Sequence, residues 1–252
     1  MNPENCMIIA HRGESYDAPE NTLASINLAW ERNDDAVEID VQLSKDNKIV
    51  VIHDKNTKRV TGRNNTVKNL SLKELKELDA GKFKGDKWEG EKIPLLREVL
   101  STVPGSKKLI IEIKCGSEII NVFKDEIDNS GLSAEQIEII GFDISVVVKA
   151  KQALPGHKVL WLAGLDYSFI GKIFRPSVDK LITKTLENNL NGLDVWAGKL
   201  INKEFVQKVK SNGLLLYVWT VNDPGKVKML QSFGIDGITT DCAGWMKENI
   251  RD

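Results

Sequence analysis

The chain predicts an α/β protein, a (β/α)8 barrel with a small insertion after the second barrel strand. Three observations predict it. Short apolar, partly β-branched runs alternate with amphipathic stretches, the pattern of parallel strands joined by crossover helices. Once one returning hairpin strand is set aside, eight such units fill the 252 residues, the number that closes a barrel. No G-x-G-x-x-G follows the first strand, as a doubly wound dinucleotide-binding sheet would require.

The elements follow in order. Cys6-Met7-Ile8-Ile9-Ala10 is an apolar strand running into His11-Arg12-Gly13, and Ala18-Pro19-Glu20-Asn21-Thr22 opens a helix with apolar Leu23, Ile26, Leu28 and Trp30. Ala36 to Leu43 alternates apolar and polar residues and forms the second strand. Ser44 to Lys48 reads as a hairpin turn, after which Ile49 to Ile52 returns antiparallel and ends at His53-Asp54. The stretch from Lys55 to Gly90 is polar and basic, with one short helix near Leu72 to Leu78. It is expected to be an excursion without a core of its own, over the barrel mouth. Pro94 begins a helix through Leu96, Val99 and Leu100. Strands are then expected at Leu109 to Lys114, Ile137 to Gly141, Val159 to Leu162, Leu193 to Trp196, Leu214 to Thr220 and Gly237 to Thr240, each followed by a helix. The chain thus reads as one domain over 1–252, with residues 43–92 forming the hairpin and insertion above one face.

Composition excludes several classes. Apolar residues at 41% and charged residues at 28% describe an ordinary globular protein. The formal charge of −1, from 35 basic and 36 acidic residues, gives no electrostatic drive toward nucleic acid or membrane surfaces. Cys6, Cys115 and Cys242 are too scattered for a disulfide framework or a C-x-x-C metal site. No apolar run reaches membrane-spanning length, and Met1-Asn2-Pro3-Glu4-Asn5 has no leader-like pattern, so the expectation is a cytoplasmic protein without membrane insertion.

The chemistry gathers at strand ends. Side chains two apart on a strand share a face, so Glu38 and Asp40 point together while Val37, Ile39 and Val41 point into apolar packing. Two carboxylates about 5 Å apart repel by roughly 1–3 kcal/mol, which calls for a cation between them, and oxygen-rich sites suit Mg²⁺, Ca²⁺ or Mn²⁺. In a barrel of this kind the active face lies at the carboxyl ends of the strands. His11 and Arg12 end the first strand there, Glu112 and Lys114 share a face at the end of the third, and the hairpin delivers His53 to the same rim. Two of the three histidines thus meet an arginine, a lysine and three carboxylates. The economical reading is a phosphodiester site. The acids hold a cation, which with Arg12 and Lys114 neutralises the anion, while the histidines move protons. Trp196 and Trp219 end their strands and are expected to line the pocket, where aromatic walls would suit a choline head group. Phe142 and Asp143 are weaker candidates of the same kind. Glu20 either touches the site or only favours the start of a helix by its charge.

These residues carry a resemblance. His11-Arg12-Gly13, Ala18-Pro19-Glu20-Asn21-Thr22, Glu38-Ile39-Asp40-Val41, His53-Asp54, Glu112-Ile113-Lys114, Trp219-Thr220-Val221-Asn222 and Asp236-Gly237-Ile238-Thr239-Thr240-Asp241 resemble the glycerophosphodiester phosphodiesterase family, in order, from Ile9 to Asp241. The resemblance implies a barrel with a small insertion after its second strand. It also implies hydrolysis of substrates such as glycerophosphocholine or glycerophosphoethanolamine to sn-glycerol 3-phosphate and an alcohol. By that resemblance His11 and His53 are the acid–base pair, Glu38, Asp40 and Glu112 bind Mg²⁺ or Ca²⁺, and Arg12 and Lys114 hold the phosphate. It further implies attack by the substrate's own 2-hydroxyl through a cyclic phosphate. One departure is Glu14 and Asp17 after the first histidine, expected to alter the rim. The competing readings are a non-catalytic barrel binding a phosphate or polyol, and a phospholipase D-like lyase on choline-bearing lipids. A binding-only barrel has no use for both histidines.

Overall fold

A computed structural model describes residues 6–164, 167–169, 172–174 and 177–251; residues 1–5, read above for a leader, lie outside them. The first half of the chain runs β1 (Met7–His11), α1 (Leu23–Glu31), β2 (Ala36–Leu43), β3 (Ile49–Val51), α2 (Lys58–Thr61), α3 (Leu72–Glu77), α4 (Leu96–Leu100), β4 (Lys108–Ile113) and α5 (Ile120–Asp128). The second runs β5 (Ile137–Gly141), α6 (Ile144–Ala153), β6 (Lys158–Ala163), β7 (Tyr167–Phe169), β8 (Lys172–Phe174), α7 (Val178–Glu187), β9 (Gly192–Trp196), α8 (Lys203–Ser211), β10 (Leu215–Trp219), α9 (Pro224–Phe233), β11 (Gly237–Thr240) and α10 (Ala243–Ile250).

Eight strands, β1, β2, β4, β5, β6, β9, β10 and β11, pair in parallel in that order, and β1 pairs with both β2 and β11. The sheet is therefore closed, and the expected (β/α)8 barrel is present. Its register explains the mouth. His11 lies opposite Glu38, and Asp40 opposite Glu112, on adjacent strands. Alternation then sorts the side chains of β2. Val37, Ile39 and Val41 join the large apolar layer under the helices, while Glu38 and Asp40 turn toward the barrel axis. Inside the barrel, Ile9, Ile110, Ile140, Leu160, Leu162 and Tyr217 pack together. The far end is plugged by Glu138, which accepts from the Tyr217 hydroxyl and the Lys108 ammonium, each at 2.6 Å.

Local signals place the connections. α1 begins only at Leu23 because Thr22 caps it, its side chain accepting from Ser25 N. Gly13, at φ +78°, is needed where the β1–α1 loop touches α1, since a Cβ there would lie 2.5 Å from the Ser25 carbonyl carbon. The turn of residues 44–48 returns β3 antiparallel to β2, with Val51 opposite Val41. Two findings differ from the expectation. The β7–β8 antiparallel hairpin lies between the strand expected at Val159 to Leu162 and the helix after it, where no strand was expected. The 55–90 excursion, read as coreless, buries Val60, Val67, Leu75, Leu78 and Ala80 against Val50, Ile52, Ile93 and Leu95. It builds that cluster by borrowing one side of the β3 strand and its extension. Among the described residues no helix is long and apolar enough to cross a membrane.

Candidate active site

A cavity of about 320 Å³ opens at the carboxyl ends of the strands. One half is lined by His11, Arg12, Glu38, His53, Glu112 and Lys114. The other is lined by Ile140, Phe142, Leu162, Asp194, Trp219, Thr220 and Thr239. The first group is charged and drawn from the first three barrel strands and the returning hairpin. The second is mainly apolar. Phe142 and Trp219 form a corner there, their rings edge to face at 5.8 Å and 86°.

Glu38, Asp40 and Glu112 are all buried, and each offers one carboxylate oxygen within 4.8 Å of the others. Burial and then the neighbouring Asp40 carboxylate push Glu38 well above the carboxylate range and Glu112 up to about 7. Asp40 Oδ1 is buried without a hydrogen-bond partner among the described residues. Three hard oxygen donors, mutually repelling, with an unsatisfied buried oxygen among them, fit a divalent cation.

Asp40 is held from an unexpected side. Asn21 Nδ2 donates to Asp40 Oδ2 at 2.8 Å, and Asp40 N donates to Asn21 Oδ1 at 3.1 Å. Asn21 is buried and left-handed, at φ +57°, a conformation that asparagine tolerates better than most residues. Its sequence neighbour Glu20 was the candidate drawn from the sequence; Asn21 is the one that touches a cluster acid.

The cations sit around the acids. Lys114 Nζ is 2.7 Å from Glu112 Oε1 and 3.6 Å from Asp40 Oδ1. Arg12, at φ +58°, donates its backbone N–H to Glu38 Oε2 at 3.1 Å, and its Nε lies 3.2 Å from Asp40 Oδ2. Burial pulls Arg12 and Lys114 down, but the surrounding carboxylates outweigh it, so both stay above their ordinary pKa. Glu20 does not line the cavity. It accepts from Arg12 Nη1 at 2.8 Å and from both terminal nitrogens of Arg59 on α2. Glu20, expected to touch substrate, therefore meets the cavity lining only through its bond to Arg12.

Each histidine is backed by a carboxylate. His11 Nδ1 is 2.7 Å from Asp241 Oδ1, and His53 Nδ1 is 2.6 Å from Asp54 Oδ1. Asn222 fixes Asp241, donating to Oδ2 at 2.7 Å. Despite burial, bonds to Arg59 and His53 hold Asp54 below the usual carboxylate range, and the bond to His11 does so for Asp241. Ionised acids accept only, so Nδ1 of each ring must donate, leaving Nε2 to exchange protons. Burial lowers the pKa of His53, helped by Arg12 and Lys114 and opposed by Asp40 and Asp54.

Three expectations are corrected. Trp196 is 48% exposed and outside the cavity lining. Its ring lies over Gly198, where a Cβ would be 2.4 Å from it. Asp143 caps α6, accepting from Ser145 N at 2.8 Å. Glu14 is fully buried away from the rim. It accepts from Gly244 N at the start of α10 and pairs with Arg32 at 3.2 Å, as Asp17 does at 2.6 Å.

Comparison with known proteins agrees with this geometry. Residues 11–244 match the model of the glycerophosphoryl diester phosphodiesterase family. A glycerophosphodiester phosphodiesterase of Caldanaerobacter subterraneus subsp. tengcongensis is 34% identical over 235 residues, covering 93% of each chain. The Bacillus subtilis protein YhdW is 36% identical over 240 residues, again covering 93% of each. Among solved structures, an Oleispira antarctica phosphodiesterase in complex with the product sn-glycerol-3-phosphate superimposes with a TM-score of 0.86 at 28% identity, over 97% of this chain and 96% of that one. With the acids, histidines and basic groups meeting at one mouth and a family match spanning nearly the whole length, the chain belongs to the glycerophosphoryl diester phosphodiesterase family.

Proposed function

We propose that the protein hydrolyses glycerophosphodiesters, such as glycerophosphocholine and glycerophosphoethanolamine, to sn-glycerol 3-phosphate and an alcohol. One observation carries the reading. Two carboxylate-backed histidines, Glu38 and Glu112 of the buried acid triad, and two cations line one half of a single cavity, with Asp40 completing the triad beside them. Family membership supports it, and so does the product bound by the Oleispira antarctica relative.

In this reading Glu38, Asp40 and Glu112 hold a divalent cation, Mg²⁺ or Ca²⁺, which when bound supplies positive charge to the phosphoryl oxygens. Arg12 and Lys114 hold the phosphate and absorb the charge that grows on its oxygens as the nucleophile arrives. His11 and His53 work through Nε2, one accepting the proton of the attacking hydroxyl and the other protonating the leaving alkoxide. Asp241 and Asp54 keep each ring in the required tautomer. Phe142 and Trp219 give the leaving group an apolar wall. Attack by the glycerol 2-hydroxyl, with a cyclic phosphate opened by water in a second cycle, uses the same pair with roles exchanged.

The test is direct. The protein incubated with glycerophosphocholine should release sn-glycerol 3-phosphate, lose this activity with EDTA, and regain it with excess Mg²⁺ or Ca²⁺. No release from any member of a glycerophosphodiester panel, or release indifferent to chelator, overturns the reading.

A further inference from the structure

Beyond the two histidines, Arg12 and Lys114, the molecule carries a guanidinium that touches neither the acid triad nor the cavity lining yet contacts the two carboxylates bonded to His53 and Arg12. Arg59 lies on α2, in the excursion. Its neighbour Val60 is buried in the excursion's own apolar cluster, which anchors the helix and leaves Arg59 at the rim. Arg59 Nε donates to Asp54 Oδ2 at 2.6 Å; Nη1 donates to Glu20 Oε2 at 2.5 Å and Nη2 to Glu20 Oε1 at 2.9 Å. Asp54 gives its other oxygen, Oδ1, to His53, and Glu20 Oε1 also receives Arg12 Nη1.

We propose that Arg59 is a positioning residue that orients His53 and Arg12 together, through Asp54 and Glu20. The proposal rests on the reading that these two groups act on the phosphodiester. Its physics is a division of charge. Asp54 is clamped between Arg59 and His53, one oxygen to each, so the carboxylate plane and the imidazole it supports are both fixed. Glu20 is gripped by the Arg59 fork, so it takes Arg12 by one nitrogen only. Without Arg59, the full Glu20 charge falls on Arg12 and draws its guanidinium from the cavity, while Asp54 turns freely with His53. A lysine reaches one carboxylate at a time and cannot reproduce the planar fork.

Another tether separates positioning from mere clipping of the excursion. Lys84, also in the excursion, donates to the backbone oxygen of Ser15 in the β1–α1 loop at 2.7 Å and contacts neither Asp54 nor Glu20. Arg59→Ala, Arg59→Lys and Lys84→Ala are compared with the wild-type protein. Arg59→Ala is expected to lower kcat/KM by about 10- to 100-fold, with loss in kcat from both His53 and Arg12 and a rise in KM from Arg12. Arg59→Lys recovers part of it, and Lys84→Ala retains wild-type kinetics. In the Asp54→Asn background, Arg59→Ala should lower kcat less than it does in the wild-type protein, the remainder coming through Glu20 and Arg12. Wild-type kinetics in Arg59→Ala, equal losses in Arg59→Ala and Lys84→Ala, or additive losses with Asp54→Asn overturn the proposal.

A readout without turnover keeps it separate from the functional reading. The chain has three histidines, so imidazole ¹⁵N spectra are assignable by single substitution. His53 should show one tautomer, protonated at Nδ1, in the wild-type protein and a tautomer mixture in Arg59→Ala. A wild-type protein inactive on every glycerophosphodiester overturns the function, whereas an unchanged His53 spectrum in Arg59→Ala overturns the positioning role.

Discussion

Replacement of Asn21 is the sharpest test of how the acid cluster is built. Its side chain supplies one hydrogen bond to an ionisable carboxylate and receives one from a buried backbone N–H. The first contributes about 1.5–3 kcal/mol, and leaving the second unpaired costs about 1–3 kcal/mol. Water entering the vacated space recovers part, so Asn21→Gly should destabilise the fold by about 3 kcal/mol, or about 6–12 °C in Tm for a chain of this size. Asn21→Ala should cost about 1–2 kcal/mol more, because a Cβ is held at φ +57°. The pair of variants therefore separates the lost bonds from the backbone conformation. With Asp40 unclamped, Mn²⁺ affinity measured by titration calorimetry should fall about 10- to 100-fold in both. An Asn21→Gly protein that melts like the wild type and binds Mn²⁺ equally well refutes the clamp.

Further outcomes follow from the same contacts. His11→Ala and His53→Ala should each lower kcat by at least about 100-fold with circular dichroism unchanged; near-wild-type turnover in either removes it from the acid–base pair. Asp241→Asn should also slow turnover, because an amide turned with its NH₂ toward Nδ1 favours the wrong tautomer; an unchanged rate means that Asp241 does not orient His11. Asp34 is pushed up to about 8, by burial and then by Glu14, against about 3.9 unfolded. Its folded pKa is the higher one, so its stabilising contribution is complete below about pH 4 and is lost as pH rises through about 8. Chemical denaturation across that window should show less decline for Asp34→Asn, and an identical decline removes Asp34 as the cause. Gly13→Ala should cost about 2–5 kcal/mol by backbone strain and collision with Ser25, and a melting point within 2 °C or so of wild type contradicts it.

Strand periodicity made much of the site legible. The period of two put Glu38 with Asp40 and Glu112 with Lys114, and the turn at residues 44–48 brought His53 back to them. Period says which face a strand residue occupies, and barrel closure turns a face into a place. Loop side chains obey no such period. Glu14 was assigned to the rim because it follows His11 closely, yet the left-handed turn at Arg12 and Gly13 redirects the chain toward α10. Asn21 binds across 19 positions of sequence, a distance at which no spacing rule speaks. Asp54 and Asp241 stood in the quoted motifs, but only coordinates reveal that each faces an imidazole. Trp196 carried the right position at a strand end, yet its ring lies over Gly198 and not in the cavity. The cluster under the excursion was hidden because four of its nine residues, Val50, Ile52, Ile93 and Leu95, lie outside the excursion.

That sharing has a consequence for how the molecule opens. Ile49 and Val51 face the barrel's apolar layer, while Val50 and Ile52 face the excursion's cluster. The segment that presents His53 is thus a seam stitched on both sides. Melting of the small cluster alone exposes one row of the seam and lets His53 drift, while the barrel, held by its own ladder, persists. Hydrogen exchange at Ile52 and His53 should then report a sub-global opening cheaper than complete unfolding, and molecules opened in this way should be unable to turn over substrate until the small cluster re-forms.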